Sequence, residues 1–323
     1  MFVHDSQLPQ VLDAESYYTD RQHECERNRL FLPGWHFVAS LADLRRDGDY
    51  LTIDLLGQPL LVWRSCGEIH VFLNVCAHRS SLLTNRPCGR MERLKCQYHG
   101  WEYDERGRTR RIPEAHNFRP LEQGELGLTK LRSETRGQLV FVTLDEQASD
   151  LASYLGPAYD LCGQLFSGER RRILKIDFEV AANWKLRVEN ALESYHIESV
   201  HPKSFGRLPS PESCTHQLEE WGSVFTTNEP AGGRMRRLFD ELMARSLGLE
   251  ADYKYEHFIF YPNVMFAAGG VFSVVEVAVP VTPTRSRVIL EMFCHPGHRS
   301  NPLSALVFRA LCWGGRRFAK QVL

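Results

Sequence analysis

Short runs of alternating apolar and polar residues dominate the first half of the chain. They occupy positions 35–39, 50–53, 60–63 and 69–73, are rich in Val, Ile, Leu, Phe and Trp, and are punctuated by Gly and Asp. A period of two bounded by turn formers predicts a small antiparallel β domain, with a last strand at 138–142. Ahead of it, residues 13–30 place apolar side chains at helical intervals among charges, and Pro33-Gly34 ends the pattern, which predicts one helix. Positions 145–150 are polar, and 151–164 predict a connecting helix.

The second half is built of longer pieces. Residues 173–180 alternate as a strand with one wet face, and Asn183 is placed to cap a helix over 184–196. Gly, Pro and charge over 202–248 predict a partly helical excursion, and 253–294 returns to strands. Pro302 opens a last helix with Leu303, Leu306, Val307, Ala310 and Leu311 on one side. Residues 258–275 carry no charge, yet Tyr261-Pro262-Asn263 and Gly269-Gly270 interrupt them, so two buried strands fit better than a membrane span. The fold class is α+β, with an N-terminal antiparallel β domain and then an antiparallel sheet flanked by helices. The expected divisions are 1–34, 35–145 and 146–323.

A chain of 323 residues with 43% hydrophobic content can bury the cores of two domains. Its 39 Lys and Arg balance 40 Asp and Glu, which gives no support for a nucleic-acid or anionic-membrane partner. The first residues form neither a basic segment nor an apolar run, so no export signal is read. An odd count of nine cysteines then favours a reducing cytoplasm, with Cys25, Cys66, Cys88, Cys162, Cys214, Cys294 and Cys312 as free thiols.

The remaining two cysteines carry the chemistry. Cys76-Ala77-His78 and Cys96-Gln97-Tyr98-His99 form two fingers, each with one thiolate and one imidazole. Mixed pairs suit a [2Fe-2S] cluster in which Cys76 and Cys96 hold one iron while His78 and His99 hold the other. A structural zinc also accepts two Cys and two His, although its fingers usually pair like with like. At these residues the chain resembles the Rieske centre of the ring-hydroxylating oxygenase family, with its Cys-x-His and Cys-x2-His pattern. A small electron-carrier ferredoxin would share that pattern.

A second constellation follows at Glu189, Glu193, His196 and His201. Residues five apart on a helix point about 140° away from each other, but Pro202 should end the helix before His201 and free its ring to join His196. Two His and a carboxylate on one face of an iron form the arrangement that activates O2. Glu189, Glu193 and His196 share a helical stripe, and the Glu193 carboxylate can accept the spare N–H of His196. This run resembles the same family's mononuclear-iron motif, (Asp/Glu)-x3-Asp-x2-His-x4-His, with Glu193 where the family usually has Asp.

The resemblance covers nearly the whole chain. It implies an alpha (large) subunit with a Rieske domain followed by a helix-grip-like catalytic domain on which residues 1–34 pack as a helical lead-in. It implies a head-to-tail homotrimer, with or without a small subunit, in which the cluster of one subunit serves the iron of its neighbour and Glu193 bridges His196 to the neighbour's His99. It also implies hydroxylation, dihydroxylation or demethylation of a small organic substrate with O2. Electrons would come from NAD(P)H through a separate reductase or ferredoxin, since no Gly-x-Gly-x-x-Gly fingerprint follows a strand here. The family's third iron ligand is an Asp on the C-terminal helix, and no Asp or Glu follows Glu291. The expectation is a carboxylate beyond Leu323, with Glu276 or Glu291 as the alternative, and hence weak iron binding by this form. Arg106, Arg108, Arg110 and Arg111 are a candidate docking patch for an acidic donor, or ordinary surface charge. Trp221, Phe225, Phe258, Phe260, Tyr261, Phe266 and Phe272 are candidates to line a pocket for an aromatic acid or a quaternary amine, or simply core. A non-catalytic Rieske electron-transfer protein is the alternative function.

Overall fold

The computed structural model describes residues 12–122, 124–192, 196–200, 210–228 and 233–322. They pack as two units, one from Arg27–Gly163 and one from Met1–Glu26 with Gln164–Leu323. Both are built on antiparallel sheets, with helices concentrated in the second, which makes the class α+β.

The first unit contains β1 (Trp35–Ser40), β2 (Asp49–Leu55), β3 (Gln58–Ser65), β4 (Glu68–Leu73), β5 (Cys88–Arg90), β6 (Leu94–Lys95), β7 (Glu102–Tyr103), β8 (Thr109–Arg111), β9 (Lys130–Arg136) and β10 (Leu139–Thr143). Seven strands form one sheet in the order β1-β10-β9-β4-β3-β2-β5, and β6-β7-β8 form a second, smaller sheet. Leu60, Leu61, Val62, Phe72, Val140 and Phe141 are fully buried between them and their surroundings. The unit runs on past the expected boundary at 145. Trp35 Nε1 donates to the Ser149 carbonyl at 2.9 Å and Arg136 Nε to the Tyr159 carbonyl at 2.9 Å, which draws 146–163 into this core.

His36 on β1 is buried, and its Nε2–H donates to the Phe31 carbonyl at 2.6 Å. Burial pushes its pKa down to about 4, against the partial opposing pull of that carbonyl. The unfolded chain takes this proton near pH 6.5 and the folded chain only near pH 4, so the unfolded state binds more protons between those values. Stability should therefore fall as pH drops from 6.5 to 4, by up to about 3 kcal/mol. Thermal midpoints across that window check this, and His36→Gln, which keeps a donor but cannot titrate, should flatten the slope.

The second unit contains α1 (Asp20–Glu26), α4 (Trp184–Leu192), α5 (Ile197–Val200), α6 (Gly233–Leu247) and α7 (Pro302–Val322), while α2 (Leu151–Leu155) and most of α3 (Pro157–Leu165) belong to the first. Its strands are β11 (Arg171–Val180), β12 (Cys214–Glu219), β13 (Gly222–Thr227), β14 (Tyr255–Phe260), β15 (Val264–Gly269), β16 (Phe272–Thr282) and β17 (Arg285–Cys294), in the order β11-β17-β16-β15-β14-β13-β12. Asn183 caps α4 as expected, accepting the Lys185 N–H at 3.0 Å. No described helix is long and apolar enough to cross a membrane, and none of the nine cysteines is in a disulfide.

Three expectations need correction. The predicted helix over 13–30 is a 3-10 turn at Ala14–Tyr17, then α1, then a π turn at Arg27–Phe31. The excursion over 202–248 contains the hairpin β12-β13 as well as α6, because β12 is an exposed edge strand whose polar side chains hide its periodicity. On α7 the buried stripe runs through Ser304, Val307, Cys312 and Gly315, with Phe308 and Leu311 against the same core, whereas Leu303, Leu306 and Ala310 are exposed.

Candidate functional site

The first finger follows β4. Its backbone closes on itself, with Cys76 N–H donating to Ser81 at 2.8 Å and Ser80 N–H to Cys76 at 3.0 Å. The second is the tip of the β6-β7 hairpin, where Cys96 N–H donates to Trp101 at 2.8 Å and Gly100 N–H to Cys96 at 3.1 Å. Gly100 has φ +72°, a left-handed conformation that favours glycine. Gln97 joins the fingers, its backbone N–H reaching the Leu83 carbonyl at 3.0 Å and its side chain the Leu82 carbonyl at 3.3 Å.

All four candidate ligands meet here, as two pairs. The Cys76 and Cys96 sulfurs are buried and near enough to shift each other's titration. The His78 and His99 rings lie with centroids 4.9 Å apart. His78 Nδ1 is buried without a hydrogen-bond partner, an arrangement that is costly unless a metal takes the lone pair. Among the described residues no three His, Cys, Asp or Glu side chains converge on one ion position. Two sulfurs beside two imidazoles are the donor set of a binuclear iron-sulfur cluster with mixed ligands.

The surroundings make the two histidines unequal. Trp101 stacks on His78 at 4.8 Å and 3°, and Phe118 meets both rings edge-on at 5.4 Å, while His99 is exposed beside Tyr98. Burial pushes the Cys76 thiol up, with Cys96 adding to the rise. Burial acts the same way on Cys96, but hydrogen bonds from Ser81 Oγ and the Tyr98 N–H, both at 3.5 Å, outweigh it and bring that thiol down. Tyr103 Oη accepts the Ala77 N–H at 3.2 Å, which turns its own proton toward Cys76 Sγ 3.0 Å away. A donor to a ligand sulfur stabilises the more negative, reduced cluster. Tyr103→Phe should therefore lower the cluster's midpoint potential while leaving its absorbance in place, as redox titration would show.

Tyr103, Trp101, Phe118 and Ser81 were not singled out in the sequence. Their signal was present in part, because strand alternation after His99 puts Trp101 and Tyr103 on one face and Glu102 on the other. Glu102 is buried, with Arg93, Lys95 and Arg111 at 3.6, 3.9 and 3.5 Å, and Arg108 pairs with Asp104 at 3.0 Å. Two of the four arginines of the candidate docking patch thus engage acids of their own unit.

Of the second constellation, Glu189 and His196 are described, and Glu193, His201 and Pro202 lie outside the described residues. Glu189 on α4 accepts from Tyr17 Oη at 2.6 Å. His196 opens α5, its carbonyl accepting the Ser199 and Val200 N–H groups. Asn190 Nδ2 donates to His196 Nδ1 at 3.3 Å, and Asn190 Oδ1 accepts from Arg187 at 3.4 Å. Glu276 and Glu291, the alternative third ligands, occupy opposite faces of the sheet, since Glu276 pairs across strands with Leu290 and Glu291 with Val275. Glu276 is held by both ends of the Arg187 guanidinium from α4, and Glu291 is buried on the other face against Arg172 at 2.9 Å.

The register also sorts the pocket candidates. His216, Phe225, His257, Ala267, Val274 and Met292 form one cross-strand row, and it shares the α4 face with Glu276. His257 is half-buried, and burial, with Arg187 and His216 nearby, pushes its pKa down to about 4. Phe258, Phe260 and Phe266 face the other way. Phe266 packs there on Phe166 at 5.1 Å and on Phe260 at 5.5 Å, and Trp221 stacks on Phe260 at 4.8 Å, so these rings are core. Tyr261 is exposed in a turn, and Phe272 packs under α7.

Comparison with known proteins matches residues 34–130 to the Rieske [2Fe-2S] domain family and residues 167–314 to the ring hydroxylating alpha subunit (catalytic domain) family. The 2-aminobenzenesulfonate 2,3-dioxygenase subunit alpha of Alcaligenes sp is 31% identical over 57% of this chain and 48% of its own length. The chloroplastic choline monooxygenase of Atriplex hortensis is 27% identical over 86% of this chain and 62% of its own. The chain thus spans about a third to three fifths of the length of the curated relatives it matches. Among solved structures, a quaternary ammonium Rieske monooxygenase studied for carnitine oxidation superposes with TM-score 0.77 at 19% identity, over 95% of this chain and 81% of that one.

Proposed function

This chain belongs to the Rieske non-haem iron oxygenases, with a Rieske [2Fe-2S] domain ahead of a ring-hydroxylating alpha-subunit catalytic domain, and on that premise we propose that it is the oxygenase component of a multicomponent system. In this reading a separate NAD(P)H-dependent reductase or ferredoxin supplies electrons, and O2 is used to hydroxylate, dihydroxylate or demethylate a small aromatic compound or methylated amine. The observation that carries it is the pairing of two buried sulfurs with two adjoining imidazoles, one of them with a bare buried nitrogen.

Cys76, Cys96, His78 and His99 hold the cluster, and His196 with His201 holds the mononuclear iron. When bound, the cluster supplies single electrons and the iron supplies O2 activation. Trp101 and Phe118 shield His78, which leaves the exposed His99 edge as the face toward a neighbouring subunit in a head-to-tail trimer, with Glu193 as the bridge to His196. Of the two alternative acidic ligands, Glu276 is engaged by Arg187 and Glu291 faces away from α4, which favours the reading of a third ligand elsewhere. The polar and aromatic end of the row, His216, Phe225 and His257, lines the substrate space, while Val274 and Met292 at the other end pack under α7. His257 stays neutral there at pH 7, able to hydrogen-bond a polar substrate group without repelling a cation.

O2 uptake with reductase and NADH, screened against choline, glycine betaine, anthranilate and 2-aminobenzenesulfonate, tests this. Uptake should rise with one of them and vanish in His196→Ala while the reduced cluster's electron-spin signal persists. Electron transfer unaffected by His196→Ala, with no substrate-dependent uptake in either protein, would make the chain an electron carrier instead.

A further inference from the structure

The three-stranded sheet β6-β7-β8 has two unlike faces. Leu94, Tyr103 and Thr109 form a buried cross-strand row on one, and from it Tyr103 reaches Cys76 Sγ. Lys95, Glu102 and Arg111 form the row on the other, joined by Arg93. The Glu102 carboxylate is buried beneath these cations, 3.6, 3.9 and 3.5 Å from Arg93, Lys95 and Arg111, whose side chains remain 60, 58 and 67% exposed. One carboxylate offsets only one of the three, so the row keeps a surplus of positive charge. The surplus is regional, since residues 90–111 hold seven Arg and Lys against four Asp and Glu in a chain of net charge −1.

We propose that this row, Arg93, Lys95 and Arg111 gathered over Glu102, is the docking surface for an acidic one-electron donor protein. The inference rests on the reading that a separate carrier supplies electrons, and it does not involve the mononuclear iron. Lys95 directly precedes Cys96, and a Cβ placed on Gly100, the residue after His99, would meet Lys95 Cε at 3.4 Å. A protein seated on the row is therefore one sheet's thickness from the candidate cluster ligands. Three exposed side chains on an open sheet face do not enclose a small anion, whereas they match the carboxylates of a protein surface. Exposed cations held this loosely steer an encounter without binding tightly, which suits a carrier that must leave after giving up one electron. Glu102 gathers the three side chains over one spot, so less of their rotamer freedom is lost on docking. The arginine run singled out in the sequence is thereby divided, with Arg108 turned to Asp104 at 3.0 Å and Arg111 in the row.

A plant-type [2Fe-2S] ferredoxin, acidic and low in potential, serves as the probe. Its reduced form, mixed with the oxidised protein, loses one electron as the protein's cluster gains one, read as bleaching in stopped flow, and its oxidised form is titrated for affinity. The second-order rate should fall about 10-fold as salt rises from about 0.01 M to about 0.15 M and the screening length shrinks from about 30 Å to about 8 Å. Arg93→Gln and Arg111→Gln should each slow that rate and weaken binding about 3- to 10-fold at the lower salt, with the difference narrowing at the higher. Reduction by the methyl viologen radical cation should be no slower in either variant. Wild-type rate and affinity in both variants would overturn the proposal, as would a rate indifferent to salt or a viologen rate that falls alongside the ferredoxin rate. Variants that alter sedimentation but not the ferredoxin rate would make the row a contact between copies of this chain, and would overturn it too. Failure of substrate-dependent O2 uptake, with the salt-dependent ferredoxin rate intact, would instead remove the oxygenase reading and leave the docking surface standing.

Discussion

Cys96→Ser protein should emerge colourless, with no electron-spin signal on reduction and no electron entry from a reductase. The sulfur sits buried at the hairpin tip, with the Ser81 hydroxyl, the Tyr98 N–H and Cys76 around it. A serine hydroxyl is smaller, harder and far less acidic, so it neither reaches nor holds iron as a thiolate does. Cys88→Ser is the control, because Cys88 is exposed on β5 and its replacement should leave colour and signal intact. Absorbance, iron content and electron-spin spectra of the two variants side by side decide the matter.

Lys185→Met should be the most damaging single change to the second unit. Glu26 and Lys185 are both buried, and the methionine would leave the Glu26 carboxylate with neutral donors from Trp184 and Gln22 but no cation. Stranding a buried charge costs about 3–5 kcal/mol, which for a unit of this size lowers the melting midpoint by about 10 °C. Pairing it with Glu26→Gln should recover most of the loss, since an uncharged pair no longer leaves a buried ion. Calorimetry that follows the two units' transitions separately should find the first unit's midpoint unmoved.

What the sequence made legible follows from how local each signal is. The two fingers, the strands of the first unit and the Asn183 cap are written in residues close together in the chain, and the fold realises all of them. The hairpin β12-β13 escaped notice because an exposed edge strand carries polar side chains on both faces. The break in the first helix answers to distant partners, Glu189 for Tyr17 and Lys185 for Glu26, more than 150 residues away. The aromatic residues of the second sheet looked alike as a list, and only strand register separates Phe225, on the α4 face, from Phe258 and Phe260, which belong to the opposite core. The unit boundary at Gly163 depends on Ser149 and Tyr159 carbonyls answering Trp35 and Arg136, which no local pattern records.

Metal and sulfide analysis of anaerobically purified protein, with an electron-spin spectrum before and after reduction, probes the account at its base. Two irons and two acid-labile sulfides per chain at the Cys76, His78, Cys96 and His99 site, with a low-field signal that appears only on reduction, is the predicted result. A colourless protein holding one zinc per chain at those four residues would contradict it.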